Sequence, residues 1–304
     1  MRGPQPRVSV VIASNRGGPY LQEAVESVRR QTVAVHEIIL VDDGSPAPGL
    51  ADVAQDLGVV YLHQPPSGVS AARNLGVHHA RGEWVALLDD DDIWHPSKIE
   101  EQLAVLADAP EAIACFSDLR LIDAAGRDIG GMEIPAGTPD ALIARGHGVP
   151  PITTLLIRRD VYLAVGGCDE RLPFVEDIDL ILRLLRVGVF VKAAKPLTGY
   201  RRYPGQMTSD EFKGLSAYLH LLRRFIAQAR ASGDEHFAQL LKTHLGNTVP
   251  AIADRSATEV YRRLRHRDWR GSLQAIRWGF THTRAPYLAA LVRVPIRRLQ
   301  RARG

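Results

Sequence analysis

The chain has 304 residues but only two cysteines, Cys115 and Cys168. They form no CxxC pair, which argues against a disulfide framework and a zinc site, and a reducing cytoplasm is the expected compartment. Long apolar runs are lacking too. No stretch approaches the roughly 20 residues needed to cross a bilayer, and the longest late run, "YLAALV" at Tyr287–Val292, falls far short. The opening "MRGPQPRVSVVIAS" has no apolar segment of signal-peptide length ahead of its first predicted strand. The dinucleotide fingerprint GxGxxG is missing after that strand, as are the phosphate loop GxxxxGKS/T, the HExxH metal motif and paired Cys/His spacing. Rossmann dehydrogenases and P-loop enzymes therefore do not fit. One region also lacks lysine. Ala257 to Gly304 holds twelve arginines and only Glu259 and Asp268 as acids, a net of +10. The other 256 residues carry 26 basic and 32 acidic side chains, or −6, so an acidic body precedes a basic tail. Such asymmetry speaks to partners more than to fold.

What is present is an α/β pattern. The apolar fraction of 45% and charged fraction of 24% are those of a soluble globular protein. "VSVVIA" (Val8–Ala13), "EIILVDDGS" (Glu37–Ser45), "VVYLH" (Val59–His63) and "WVALLDDDD" read as strands, the continuous apolar runs being those of strands buried on both faces. Between them, helices are predicted after Pro19, over Ser70–Ala80 and from Pro96 with Ile99, Leu103 and Leu106 inward. Strands alternating with helices at this spacing imply βαβ units and a Rossmann-like mixed or parallel sheet flanked by helices. After about Ala109 the rhythm changes to two strands, a glycine-rich loop past Gly137, a strand over Ile152–Asp160, and a helix from about Ile178 with Leu180, Leu184 and Val187 on one face. From Ser209 the pattern is helical, so the expected domains are 1–207, holding the sheet, and 208–304, a helical region with the basic tail.

In an open α/β sheet, ligands bind outside the carboxyl ends of the strands. Those ends are Ser14–Asn15, Asp42–Asp43 and Asp89–Asp92, so one rim collects carboxylates. A divalent cation can join such a rim to an anionic ligand, because Mg2+ and Mn2+ prefer carboxylate oxygens and carry substrate phosphates on their free positions. The alternatives are an Asx turn for "DDGS" and a helix N-cap within "DDDD", for which Asp92 before Pro96 is the candidate.

The motifs "VSVVIASNRGGPYLQEAVESVRRQT", "HEIILVDDGS", "GVSAARNLGV", "GEWVALLDDDDIWHPSKIE" and "VGGCDERLPFVEDIDLILRL" run in order from about Val8 to about Met207. Together they resemble a family 2 glycosyltransferase of the GT-A fold, an inverting class that takes nucleoside-diphosphate sugars. The resemblance implies that Ser14 and Asp43 lie near base and ribose, and that Arg73, Asn74, Asp89 and Asp90 line the nucleotide-sugar pocket. It further implies that Asp89 and Asp91 form the DxD pair holding Mn2+ or Mg2+, and that Asp177 of the Glu176–Asp177 motif is the general base. Family members often carry histidine in a YRxH context where this chain has Tyr203 after Tyr200-Arg201-Arg202. Tyr203 and Arg201 are accordingly candidates for the diphosphate side.

The implied donor is a UDP-sugar, and the implied acceptor a glycan or lipid-linked glycan of the cell envelope. For the tail, a solvated helix face, an anionic membrane surface and nucleic acid compete. The membrane reading sets Leu288, Leu291, Val292, Ile296 and Leu299 against Arg293, Arg297, Arg298 and Arg301, with a kink at Pro295; nucleic acid is not expected, since no recognition motif accompanies the charge. A cytoplasmic protein, peripheral on the inner face of the membrane, is the corresponding expectation. The rivals are a sugar-nucleotide nucleotidyltransferase, which would leave Glu176–Asp177 unexplained, and a degenerate nucleotide- or glycan-binding protein. The sequence does not set the oligomeric state.

Overall fold

The computed structural model describes residues 6–46, 49–144, 149–206 and 211–301, without the side chains of 211, 292 and 295–301. It divides into two compact units, residues 1–142 with 148–207 and residues 143–147 with 208–304. The expected boundary at 207/208 lies outside the described residues.

The first unit is built on one sheet. Its strands are β1 (Val8–Ser14), β2 (Glu37–Asp43), β3 (Val60–Gln64), β4 (Trp84–Asp89), β5 (Ile93–Trp94), β6 (Ala112–Ile122), β7 (Asp128–Met132), β8 (Leu156–Arg158) and β9 (Val189–Arg201). They lie in the order β3-β2-β1-β4-β8-β6-β9-β5, with β7 on β6. The β3-β2-β1-β4 half is parallel, and β8 enters antiparallel between β4 and β6. The helices are α1 (Leu21–Arg29), α2 (Leu50–Asp56), α3 (Val69–His79), α4 (Lys98–Ala107), α5 (Pro139–Ala144), α6 (Arg159–Ala164) and α7 (Glu176–Leu185). Buried β-branched and leucine side chains of β1, β2 and β4, such as Val10, Ile12, Leu40 and Leu88, make the core with Leu21 and Val25 of α1. At about 25 cal/mol per Å² of apolar surface, each such side chain contributes roughly 1.5–3 kcal/mol.

Register brings the rim together. Ser14 stands opposite Asp42 on one side, and Ala13 opposite Asp89 on the other. Gly44 follows Asp43 with φ +69, and a Cβ there would lie 2.4 Å from the Pro66 ring, so the turn tolerates only glycine. In α3, a Cβ at Gly76 would come within 2.3 Å of Val11 Cγ1 and 3.1 Å of Val41 Cγ2, so this helix rests directly on β1 and β2.

Several expected elements differ. The glycine-rich loop contains β7, whose backbone pairs antiparallel with β6 although its side chains are exposed. The two strands expected after Ala109 are one eleven-residue strand, β6. The expected strand over Ile152–Asp160 shortens to β8, behind a 3-10 turn at Ile152–Thr154. Helix α7 begins at Glu176 and stops at Leu185, which leaves Val187 57% exposed and off its apolar face. Asp92 does not cap the following helix. Ser97 occupies that position without a side-chain capping bond, and Asp92 is fully buried, accepting instead from the backbone N–H of Arg201.

The second unit comprises α8 (Glu211–Ala231), α9 (Glu235–Arg265) and α10 (Trp269–Arg301). Asp234 caps α9 by accepting from the Phe237 amide at 3.1 Å. Ala253, Ala257, Val260, Ala275, Tyr287, Ala290 and Val294 form its core, the alanines allowing close approach of α9 and α10. The backbone of α10 leaves helical geometry at Arg284 (φ 40), just before Pro286, and not at Pro295. Of the expected lipid-facing residues, Leu288 is exposed while Leu291 packs on the core. The side chains of Val292, Ile296 and Leu299 lie outside the described residues. Among the described residues no helix is long and apolar enough to cross a membrane.

Candidate functional site

Arg73 links three of the sequence motifs. It is 6% exposed, on α3, and its guanidinium donates to Asp89 Oδ1 at 2.7 Å and to Glu176 Oε1 at 2.8 Å. One side chain thus fixes the end of β4 to the first turn of α7. Burial alone would lower its proton affinity, but the Asp89 and Glu176 carboxylates raise it well above the usual arginine value. Neighbouring Asn74 has a different duty. Its amide donates to the Cys168 carbonyl and to Glu170, and accepts from the Tyr162 hydroxyl and the Cys168 amide, all at 2.8–2.9 Å. Both N–H groups and the carbonyl are engaged with the 162–170 segment, which makes Asn74 a positioning residue for the chain leading into α7.

That chain ends in strain. Val175, a β-branched residue, has φ 59 and ψ 20 immediately before Glu176. Left-handed backbone at such a residue is unfavourable and tends to occur where the surroundings over-determine it. It turns Asp177 into the first turn of α7, half-buried, with Oδ1 accepting from the Ile178 amide at 2.8 Å. Burial first, and then the adjacent Glu176 carboxylate, push the Asp177 carboxyl up to about 6; Arg73 counters this, and the charge of Asp89 adds to it.

The four aspartates after Leu88 have four environments. Asp89 is held by Arg73. Asp90 accepts from the Ser14 hydroxyl at 2.5 Å, and burial, with Asp91 and Asp89 adding to it against the Ser14 bond and Arg16, raises it to about 6. Asp91 Oδ2 accepts from the Tyr203 hydroxyl at 3.0 Å and from Gln206 Nε2 at 3.3 Å. Asp92 is raised well above the usual range, by burial first and then by the charge of Asp89. Among the described residues, one carboxylate oxygen each of Asp89, Asp90, Asp91 and Asp177 has no protein donor. These are hard oxygen ligands, chemically suited to Mg2+ or Mn2+. No ready-made cluster of three or more metal-ligating side chains occurs among the described residues.

Arg201 was a candidate for diphosphate. It is fully buried instead, donating to the Asp91 carbonyl, to the carbonyls of Asp123 and Ala124, and to Glu23 at 2.7 Å, with its guanidinium over the Tyr20 ring. It braces the acidic turn from behind and presents no charge to a ligand. Tyr203 does face the site. Burial and the neighbouring Asp91 carboxylate push its hydroxyl up to about 12, so it stays a donor. At the other end of the rim, Asp43 accepts from Gln64 and from the amides of Ser67 and Gly68 at 2.7–2.8 Å, which secures the loop before α3. Asp42 accepts from Tyr61 and the Ser45 amide. Ser14 holds Asp90 and accepts from the Gly17 amide.

Glu23, Gln206 and Tyr20 belong to this assembly and escaped the sequence reading. Gln206 joins Asp91 to the Arg201 carbonyl, a contact between residues 115 positions apart that no local pattern encodes.

Comparison with known proteins places this architecture. Residues 9–131 match the glycosyl transferase family 2 pattern. An uncharacterized glycosyltransferase of Rickettsia felis is 32% identical over 193 residues, covering 60% of this chain and 32% of the relative. The chain thus spans about a third of that relative's length. One from Rickettsia typhi is 28% identical over 235 residues, covering 73% of this chain and 72% of its own. Among solved structures, Staphylococcus aureus TarS 1–349 superposes with a TM-score of 0.60 at 14% identity, covering 88% of this chain and 90% of TarS 1–349. The order of motifs, the mixed sheet and the carboxylates at its rim agree with these likenesses: the chain has a GT-A fold like that of TarS 1–349, and residues 9–131 are similar to family 2 glycosyltransferases.

Proposed function

We propose that the protein transfers a sugar, with inversion, from a nucleoside-diphosphate sugar to a hydroxyl of a glycan or lipid-linked glycan, with Asp177 as general base. The observation that carries this reading is the Arg73 bridge, which sets the acidic strand end and the Glu176–Asp177 turn side by side. A sugar hydroxyl is a poor nucleophile at neutral pH. A carboxylate whose affinity for protons is raised to about 6 is still ionised there and takes the hydroxyl proton better than an ordinary one. The acceptor oxygen forms its bond to the anomeric carbon as the bond to diphosphate breaks, the proton passes to Asp177, and the electron pair leaves with the nucleoside diphosphate. Attack and departure on opposite faces give inversion.

Asp89 and Asp91 are the residues that would hold a divalent cation, Mn2+ or Mg2+. When bound, such an ion supplies charge neutralisation of the leaving diphosphate. The Tyr203 hydroxyl donates to Asp91, and in this reading it turns to a diphosphate oxygen when the donor binds. A UDP-sugar is the favoured donor, because structures of the like-folded TarS 1–349 are described in complex with UDP-GlcNAc and with UDP.

The test separates binding from chemistry. Donor binding, followed by the rise in melting temperature with UDP and manganese, should persist in Asp177→Asn while transfer is lost. An active Asp177→Asn enzyme would remove the base. Undiminished manganese-dependent binding in Asp91→Ala would remove the metal assignment. The nucleotidyltransferase alternative would show release of pyrophosphate from a nucleoside triphosphate, which the proposed reaction never produces.

A further inference from the structure

The second unit leaves one face of α10 uncovered. Trp269 is 65% exposed, Leu273 67%, Phe280 42% and, beyond the break, Leu288 53%. At about 100° per residue, the first three fall within an arc of about 40°. The side that carries Ser272, Thr283 and Ala275, about 60–140° further round the helix, is buried in its own unit. Three of the ten large apolar side chains exposed among the described residues therefore share one stripe, and a fourth, Leu288, follows the break. Solitary exposed leucines need no explanation, but a rimmed apolar stripe marks a contact surface.

The rim identifies the kind of contact. Arg270, Arg277 and Arg284 are exposed alongside the stripe. From Trp269 to Arg301 the sequence has seven arginines and no acidic residue. A pocket of about 380 Å3 opens at the break of α10, lined by Arg223, Arg284, Thr281 and His282 among others, none of them acidic. Arg223 spends one N–H on the His282 carbonyl at 3.1 Å, and its other donors have no acceptor among the described residues.

We propose that this face docks on the surface of an anionic phospholipid bilayer. Trp269, Leu273, Phe280 and Leu288 enter the boundary between headgroups and acyl chains, Arg270 and Arg277 meet phosphates beside them, and the pocket between Arg223 and Arg284 receives one headgroup phosphate. Aromatic and leucine side chains edged by arginine are the composition of helices that lie in the membrane interface, and each surface arginine adds attraction to an anionic leaflet. A protein partner of ordinary mixed charge would leave this one-signed rim unmatched. The inference stands on α8, α9 and α10 alone and is independent of the sugar-transfer reading. It also moves the membrane contact from the 288–301 segment to a stripe beginning at Trp269.

The test uses the full chain with vesicles of phosphatidylcholine alone and vesicles that also contain phosphatidylglycerol. Sedimentation should show at least about tenfold stronger partitioning onto the anionic vesicles, with a blue shift of Trp269 emission that is absent in Trp269→Phe. The triple change W269S/L273S/F280S should weaken partitioning about tenfold or more on the same vesicles. R270Q/R277Q should abolish the preference for anionic lipid and its sensitivity to salt. All five positions are exposed, so far-ultraviolet circular dichroism and melting temperature should stay as in the parent. Equal partitioning of the parent onto both vesicle types would overturn the proposal, as would a serine triple variant that binds like the parent. Sedimentation velocity without lipid supplies a third outcome. A dimer that the serine changes dissolve would assign the stripe to a second copy of the chain and overturn the bilayer.

Discussion

Two runs of like charge mark this molecule, the aspartates of residues 89–92 and the arginines of α10, and their surroundings are opposite. The aspartates are half-buried or buried, and each has its own partner: Arg73, Ser14, Tyr203 with Gln206, and the Arg201 backbone. The arginines at 270, 277 and 284 stand in solvent. Repulsion between exposed charges is screened within a Debye length of about 10 Å, so the arginine row costs the fold little. Clustered carboxylates away from water are expensive, and they persist here only because Arg73 and Arg201 tie the turn to two other elements. Like charge at a buried strand end therefore points to chemistry, and like charge on an exposed helix points to a surface.

Breaking the buried side of that contrast should have the largest effects. Asp177→Asn should lower kcat by about 10²–10⁴-fold with donor affinity kept, as steady-state kinetics beside calorimetric binding would show. Arg73→Met leaves Glu176 buried without its partner and should destabilise the fold by about 3–5 kcal/mol, measured by urea denaturation. The pH dependence sharpens the point. Asp177 binds protons more tightly folded, at about 6, than unfolded. The stability this contributes is present below the unfolded value, near 4, and is lost as pH rises through about 6. The catalytic rate moves the other way, since a base must be ionised: kcat/KM should fall tenfold per pH unit below about 6. Asp177→Asn should therefore be more stable than the parent at pH 8, by roughly 1–3 kcal/mol, while inactive. Tyr203→Phe removes one hydrogen bond to Asp91 and should cost about 1 kcal/mol in stability. On the exposed side, R270Q/R277Q should change stability by no more than about 0.5 kcal/mol, and a larger loss would show that the two runs are not as different as their burial suggests.

The sheet was legible because strands buried on both faces read as unbroken apolar runs. The readings Val8–Ala13 and Glu37–Ser45 fall within two residues of strands β1 and β2, and with them comes the rim where Ser14, Asp42 and Asp89 meet. Strand β7 was not, since glycines at 130 and 131 resemble a loop and its pairing comes from β6 backbone alone. The start of α7 was missed by two residues because a valine seldom takes the left-handed turn that Val175 makes. Arg201 shows a deeper limit. Its sequence context suggests a ligand-facing cation, and only the positions of Tyr20 with Glu23, of the Asp91 carbonyl and of the 123–124 carbonyls, from three separate parts of the chain, turn it inward.

Gly76 has no functional group, yet it acts as a gauge. With nothing between α3 and the sheet, Arg73 sits one turn earlier at the height from which it reaches both Asp89 and Glu176. Alanine there would lift the helix by about 1 Å, an error of the size that costs an active site about 10²-fold in rate. A lesion at this position would look catalytic in kinetics and silent in every list of ligand contacts, because what it alters is an alignment.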